Sequence, residues 1–279
     1  MSFLTANAPA RGDETVDSKF AELVETNLWA RNVFQPGITY TDKYQVDAMG
    51  QLFVRKLGKG NVDTTANLTF NHEQTADELI SIVLDKQFKQ SEEVHEAVEV
   101  ARTSGTGVQK FEVLSRNVRE AWQQEAHDQL EDGATASANT TVTAADDVKE
   151  RFIEVRKELR DNDADPDVII CSTEFYSKML EYSGKEFQPA MGDEVIRTGI
   201  VGRFLGMSVI ESTQLTDTGS AGDVEFIMYD HDAYSILTQL VASRIVDAGK
   251  DWAGSAAQLY IISGFKVTNE DRVIKKTVA

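Results

Sequence analysis

Apolar and polar positions alternate along this chain in two periods, and the periods divide it. Between Val108 and Glu131, Phe111, Leu114, Val118, Trp122, Ala126 and Leu130 recur every three or four residues, placing one apolar stripe on a helix of about six turns that Gly133 ends. A second helix is predicted from Val148, Phe152, Val155 and Leu159, opened by Thr143 and Asp146 as a capping pair, and a short third one spans Phe175–Tyr182. An imperfect amphipathic pattern covers Val16–Val33 before Pro36-Gly37 breaks it, and a further helix is expected to start at Ser91, whose hydroxyl would cap free amides while Glu92 and Glu93 meet the positive helix end.

The remaining patterns are extended. Ile38–Val46 alternates, Gln51–Leu57 and Leu79–Leu84 read as two more strands, Val168–Cys171 (VIIC) is an apolar run of the kind buried on both faces, and Val224–Tyr229 (VEFIMY) reads as a strand. Gly199–Ile210 reads as strand, turn, strand, Ala233–Val246 is mixed, and Gln258–Lys266 and Arg272–Val278 close the chain as strands. Residues 1–15 read as a polar arm, Ala134–Thr143 as a small-residue linker and Gly184–Thr198 as a loop. The polar stretch Gly58–Glu78 is too long for a plain hairpin turn and is expected to project from the body. No internal repeat of solenoid length is present.

Composition narrows the function. The chain has 279 residues, 28 Lys+Arg against 46 Asp+Glu and a net charge of −18, with 41% hydrophobic residues to build a core. Such a balance argues against gripping a polyanion, because phosphate binding is driven by Lys and Arg. One cysteine excludes an intramolecular disulfide and a Cys-based zinc site, and neither a membrane-length apolar run nor a secretory signal is visible.

A search for chemistry returns no catalytic constellation. His72, His95, His127 and His231 are scattered, with no His-Glu-x-x-His pair. Asp230-His231-Asp232 reads as a solvated turn rather than a metal or acid–base cluster, and Cys171 in its apolar strand as an inert core thiol. Gly199, Gly202 and Gly206 match neither a dinucleotide fingerprint nor a phosphate loop and serve tight turning. No catalytic, cofactor or metal residue is therefore assigned. A core with an arm, a projecting loop and a long helix instead looks built to touch copies of itself.

The order of these features resembles the major capsid proteins of tailed bacteriophages, the Hong Kong 97-like fold, an α+β class. The resemblance is carried by the arm, the extended loop returning through ELISIVLDKQFKQSEEV, the helix ending AWQQEAHDQLEDG, then VIICSTEFYSKML, GIVGRFLGMSVIESTQL and GFKVTNEDRVIKK. In that family a Gly-punctuated strand pair leads to a Ser/Thr-rich exit, where Gly199, Gly202, Gly206, Val209, Ser212 and Thr213 stand here. It implies an N-terminal arm over residues 1–35, an E-loop over about 48–87 within a region 36–133 that includes the P-domain and its spine helix, an A-domain over 134–230, and closing strands over 231–279 returning to the P-domain. It also implies an icosahedral shell of pentamers and hexamers enclosing double-stranded DNA without tight specific binding, in a virion assembled in the bacterial cytoplasm. The portal, a separate scaffolding protein (expected because no long leader precedes the arm) and decoration proteins are the other implied partners, with no cofactor and no membrane. No Lys/Asn crosslinking pair is identifiable. An encapsulin-type nanocompartment, sharing the fold, and a small α/β enzyme are the alternatives.

One contact is predicted in detail. Arg55, Lys56 and Lys59 give the loop a local charge of +3 between Ala48 and Val62, where no acid occurs, and Glu92, Glu93, Glu96 and Glu99 are expected to form an acidic helix face that receives it on a neighbouring copy.

Overall fold

The computed structural model describes residues 32–41, 51–57, 77–95, 106–138, 148–180, 187–189, 200–215, 220, 222–247 and 254–278. Its organiser is helix α1 (Thr106–Gly133), which contains the predicted stripe. Leu114, Val118, Trp122, Ala126 and Leu130 are all buried, one turn apart, and they serve two different cores. Leu114 and Val118 pack on Ala257, Leu259 and Ile261, whereas Trp122, Ala126 and Leu130 enter a larger cluster with Val168, Ile227, Tyr234 and Phe265.

The first core rests on a three-stranded antiparallel sheet made of β3 (Lys86–His95), β10 (Tyr234–Asp247) and β11 (Gly254–Val267), with β11 central. The second rests on a seven-stranded sheet. Its members are β4 (Thr135–Ala136), β5 (Val168–Ser172), β6 (Phe187–Pro189), β7 (Ile200–Phe204), β8 (Met207–Ser212), β9 (Val224–Tyr229) and β12 (Val273–Thr277), in the order β4-β12-β9-β5-β8-β7-β6. Helices α2 (Val148–Asp161) and α3 (Thr173–Met179) cover the other face of this sheet. The continuous apolar runs follow from that sandwich. In β5, Val168 and Ile170 belong to the α1 side, Ile169 and Cys171 to the α2–α3 side. On that second side Phe152 stacks on Phe226 at 4.6 Å, with Phe175 and Phe204 within 5.2 Å of the Phe152 ring centre.

The tight turn between β7 and β8 holds Leu205 and Gly206 at φ 50° and 88°, a primed two-residue turn whose twist matches its strands. Gly202 sits at a register shift of β7, and Gly199 lies outside the described residues.

Three expectations are corrected. Ser91 does not open a helix: Ser91, Glu92 and Glu93 lie in β3, opposite Gln258, Ala257 and Ala256 of β11, because a ten-residue ladder outweighs a local capping signal. The segment from Ile38 is not a strand where it is described. Gly37 at φ 73° turns it, the Thr39 hydroxyl donates to the Gln35 carbonyl at 3.1 Å and accepts the Gln35 amide at 2.7 Å, and only Thr41 bridges to Ser235. The mixed stretch from Ala233 is the long strand β10, buried on both sides from Tyr234 to Leu237 and therefore without alternation. Of the closing strands, β10 and β11 pack beside α1, and β12 pairs with β9 and completes the seven-stranded sheet. The predicted helix from Val16 and residues 58–76 of the expected projecting loop lie outside the described residues.

Trp122 is the point where the two cores join. Its indole N–H donates to the Ser263 hydroxyl at 2.8 Å, and its ring meets Phe34 and Phe265 at 6.3 and 5.5 Å. Trp122→Ala is expected to cost about 3–5 kcal/mol, the range for emptying a buried aromatic site, read as a lowered urea midpoint of the isolated subunit.

Candidate functional site

The surface with the clearest unfilled contact is a hairpin. Strands β1 (Gln51–Leu57) and β2 (Asp77–Val83) pair antiparallel over their whole length, Gln51 opposite Val83 and Leu57 opposite Asp77. Alternation gives the hairpin two faces. Val54 and Ile82 are buried against Leu237, with Leu52 and Leu84 beside them. The opposite face carries Phe53, Leu79 and Val83 at 62%, 68% and 39% exposure, with exposed Ser81 between the last two. Single exposed apolar residues are ordinary; three on one face of a two-stranded ribbon make a surface that a neighbour can cover. Beside it, a groove of about 350 Å³ runs between Glu78–Ser81 and the end of β11, with Lys266, Glu270 and Asp271 in its wall.

The basic residues proposed for docking are only partly gathered here. Arg55 and Lys56 are strand residues of β1, in register with Leu79 and Glu78, and Lys59 lies outside the described residues. On the acidic side Glu92 and Glu93 are strand residues of β3, so the helical spacing that grouped them with Glu96 and Glu99 does not apply; the last two lie outside the described residues. Phe111 lies within α1. Phe53, Leu79 and Val83 were not singled out from sequence. Their signal was the run Leu79–Leu84, apolar but for Ser81, and the triplet Leu52–Val54, in which both faces of a ribbon carry apolar residues.

Behind the hairpin, the segment 32–41 is clamped to α1. The Asn32 carboxamide oxygen accepts from Gln123 Nε2 at 2.8 Å and from the Phe34 amide at 2.9 Å. The Phe34 ring is buried against His127 at 4.7 Å and Tyr234 at 5.8 Å. His127 Nε2 and the Ser212 hydroxyl are 2.7 Å apart, while Nδ1 has no hydrogen-bond partner.

The groups that could carry chemistry are engaged within the chain. Asp167, Asp230 and His231 offer ligand atoms within 4.8 Å of one another, a spacing a metal ion could bridge. Yet Asp167 accepts the His231 amide at 2.9 Å and contacts its Nδ1, and Arg272 donates to Asp230 at 3.1 Å, so the cluster ties the corner after β9. This turn is half-buried and internally bonded rather than solvated. Burial raises the Asp167 carboxyl, against the hydrogen bonds from His231 that lower it. Cys171 is buried, and desolvation moves its thiol well above the ordinary range, away from thiolate chemistry. Among the described residues no helix is long and apolar enough to cross a membrane.

Burial pushes the His127 imidazole down to about 3 from 6.5, so the fold holds it neutral. The unfolded chain then binds the extra proton between those limits, and stability present above pH 6.5 falls as pH drops toward 3, by up to about 1.4 kcal/mol per pH unit from this residue. His127→Gln is expected to flatten the acid limb of a melting-temperature profile between pH 6.5 and about 4.

No protein-family model and no curated protein matches this chain. Solved structures do. A structure from Mycobacterium phage Che8 aligns at TM-score 0.63 and 16% identity over 99% of this chain and 95% of that one. The capsid structure of the cyanophage P-SCSP1u aligns at 0.60 and 11% over 100% and 92%, and a virus-like particle from Pyrococcus furiosus at 0.55 and 11% over 94% and 98%. The chain has the Hong Kong 97-like fold.

Proposed function

We propose that this chain is the major capsid subunit of a tailed bacteriophage, which closes with copies of itself into an icosahedral shell around double-stranded DNA. The observation that carries the reading is the extent of the likeness: a phage capsid structure aligns over 100% of this chain and 92% of its own. The engaged state of Asp167, His231 and Cys171 supports a structural rather than an enzymatic role.

In this reading residues 1–35 are the arm, the hairpin and its connection over about 48–87 the E-loop, α1 the spine of the P-domain and 134–230 the A-domain, with β10 and β11 returning under the spine. The hairpin docks on a neighbouring copy through its exposed Phe53, Leu79 and Val83, and the basic residues Arg55, Lys56 and Lys59 steer it toward acids such as Glu92, Glu93, Glu96 and Glu99. A net charge of −18 suits a wall that must enclose DNA without trapping it. A scaffolding protein, the portal and decoration proteins are the further partners; the protein is assembled in the bacterial cytoplasm and ends in the virion. The Pyrococcus furiosus likeness keeps a protein-filled nanocompartment as the second reading, and the contents of nuclease-treated particles, DNA or a protein cargo, separate the two.

Negative-stain microscopy of the purified protein, alone and with a co-expressed scaffold, is expected to show closed particles or pentamers and hexamers that close. A strict monomer at every concentration and salt would sink the reading. Reversing Arg55, Lys56 and Lys59 to Glu is expected to leave the circular dichroism unchanged while reducing the particle count, and high salt is expected to soften the wild-type contact. Replacing Phe53 and Leu79 with Ser is expected to reduce assembly at every salt concentration, because an apolar contact is not screened.

A further inference from the structure

One glycine in the described core meets backbone rather than space or side chain. Gly264 lies in β11, in register with Leu237 of β10, directly beneath the point where the chain leaves β2 for β3. A Cβ built there would stand 2.3 Å from the Val83 carbonyl oxygen, 2.9 Å from the Val83 carbonyl carbon and 3.3 Å from the Leu84 amide nitrogen. At Gly133 the added carbon would meet the Val267 side chain instead, Cγ2 at 2.6 Å and Cβ at 2.9 Å. At Gly264 no rotamer relieves the clash, because all three of these atoms are main chain.

We propose that Gly264 is the pivot of the β1–β2 hairpin: its missing side chain lets the hairpin's exit strand lie directly on β11, and that close approach sets the angle at which the hairpin leaves the body. Among the described residues the rest of the footing is Val54 and Ile82 on Leu237, with Leu52 and Leu84 beside them, and Leu237 is Gly264's own cross-strand partner. This apolar footing thus centres on one rung of the β10–β11 ladder. Restoring ordinary contact against an added methyl requires a displacement of about 1 Å. Taken up as rotation about a footing roughly 5 Å away, one strand spacing, it becomes about 3 Å at Glu78, which lies five residues, or about 17 Å, out along β2. The outer face bearing Phe53, Leu79 and Val83 swings with it, so a side chain absent from the buried side decides where the exposed side points. The consequence for contact between copies rests on the capsid reading; the angle itself does not.

The two are tested separately. Spin labels at Glu78→Cys and Glu120→Cys, both exposed positions, report the hairpin angle relative to α1 in the unassembled subunit, and the native Cys171 is buried and takes no label. Adding Gly264→Ala is expected to shift the label-to-label distance by about 2–3 Å with the circular dichroism unchanged. An unchanged distance in a folded protein overturns the pivot, and so does loss of all soluble protein, since Gly264 would then be a core packing position. In the unlabelled chain the same substitution is expected to change the diameter of assembled particles or yield open sheets. Wild-type diameter from a subunit with a shifted hairpin overturns the link to assembly, whereas absence of particles from the wild type overturns the capsid reading and leaves the distance measurement standing.

Discussion

The indole of Trp122 sits where three parts of the chain that are distant in sequence meet: helix α1, the β10–β11 ladder and the segment around Phe34. Everything else is arranged around that junction. A helix normally spends its apolar stripe on one sheet; α1 divides its stripe between two, and Trp122 stands at the division. The polar end of the ring is answered by Ser263, so a large side chain is buried without an orphaned donor. Because both sheets are fastened to one rigid rod, the three-stranded and seven-stranded sheets keep a fixed relation, and whatever either presents to the outside is presented in register with the other.

Buried polarity is used sparingly and in pairs. Arg151 of α2 and Glu225 of β9 are bonded to each other out of solvent, which costs desolvation but admits few other packings of helix on sheet. On the α1 side of that sheet His127 meets Ser212 of β8, and Gln123 meets Asn32 of the segment 32–41, each linking α1 to a different neighbour. These contacts specify which faces meet more than they stabilise the meeting, and the apolar clusters around them supply the stability.

Much of the fold was legible because its strongest periodicities are also its most buried elements. The four-residue recurrence from Leu114 to Leu130 marked α1, and the unbroken VIIC run and VEFIMY, apolar but for Glu225, marked β5 and β9. Reading failed where long-range pairing overrode a local signal. Ser91-Glu92-Glu93 is a good helix start by local chemistry, yet β11 supplies a ladder from a partner more than 160 residues away, which no local window contains. Tyr234–Leu237 loses its alternation because both faces are covered. The exposed hairpin face was the least legible part. Apolar residues on both faces of a ribbon say that both should be covered, but not by what. Gly264 had one faint signal, an isolated glycine within a strand pattern, which marks a close approach of backbone without naming what approaches.

The β3–β11 ladder also governs the order of events during synthesis. Its two strands enclose residues 96–253 between them, so the three-stranded sheet closes only after a loop of more than 150 residues has been made. Helix α1 can form earlier, but the floor it needs, Ala257, Leu259 and Ile261, follows it by more than 120 residues. Hairpin and α1 therefore acquire their mutual orientation only once β11 has been made. Topology acts here as a timer: until then the hairpin lacks the strand it lies on, and its outer face has no fixed direction.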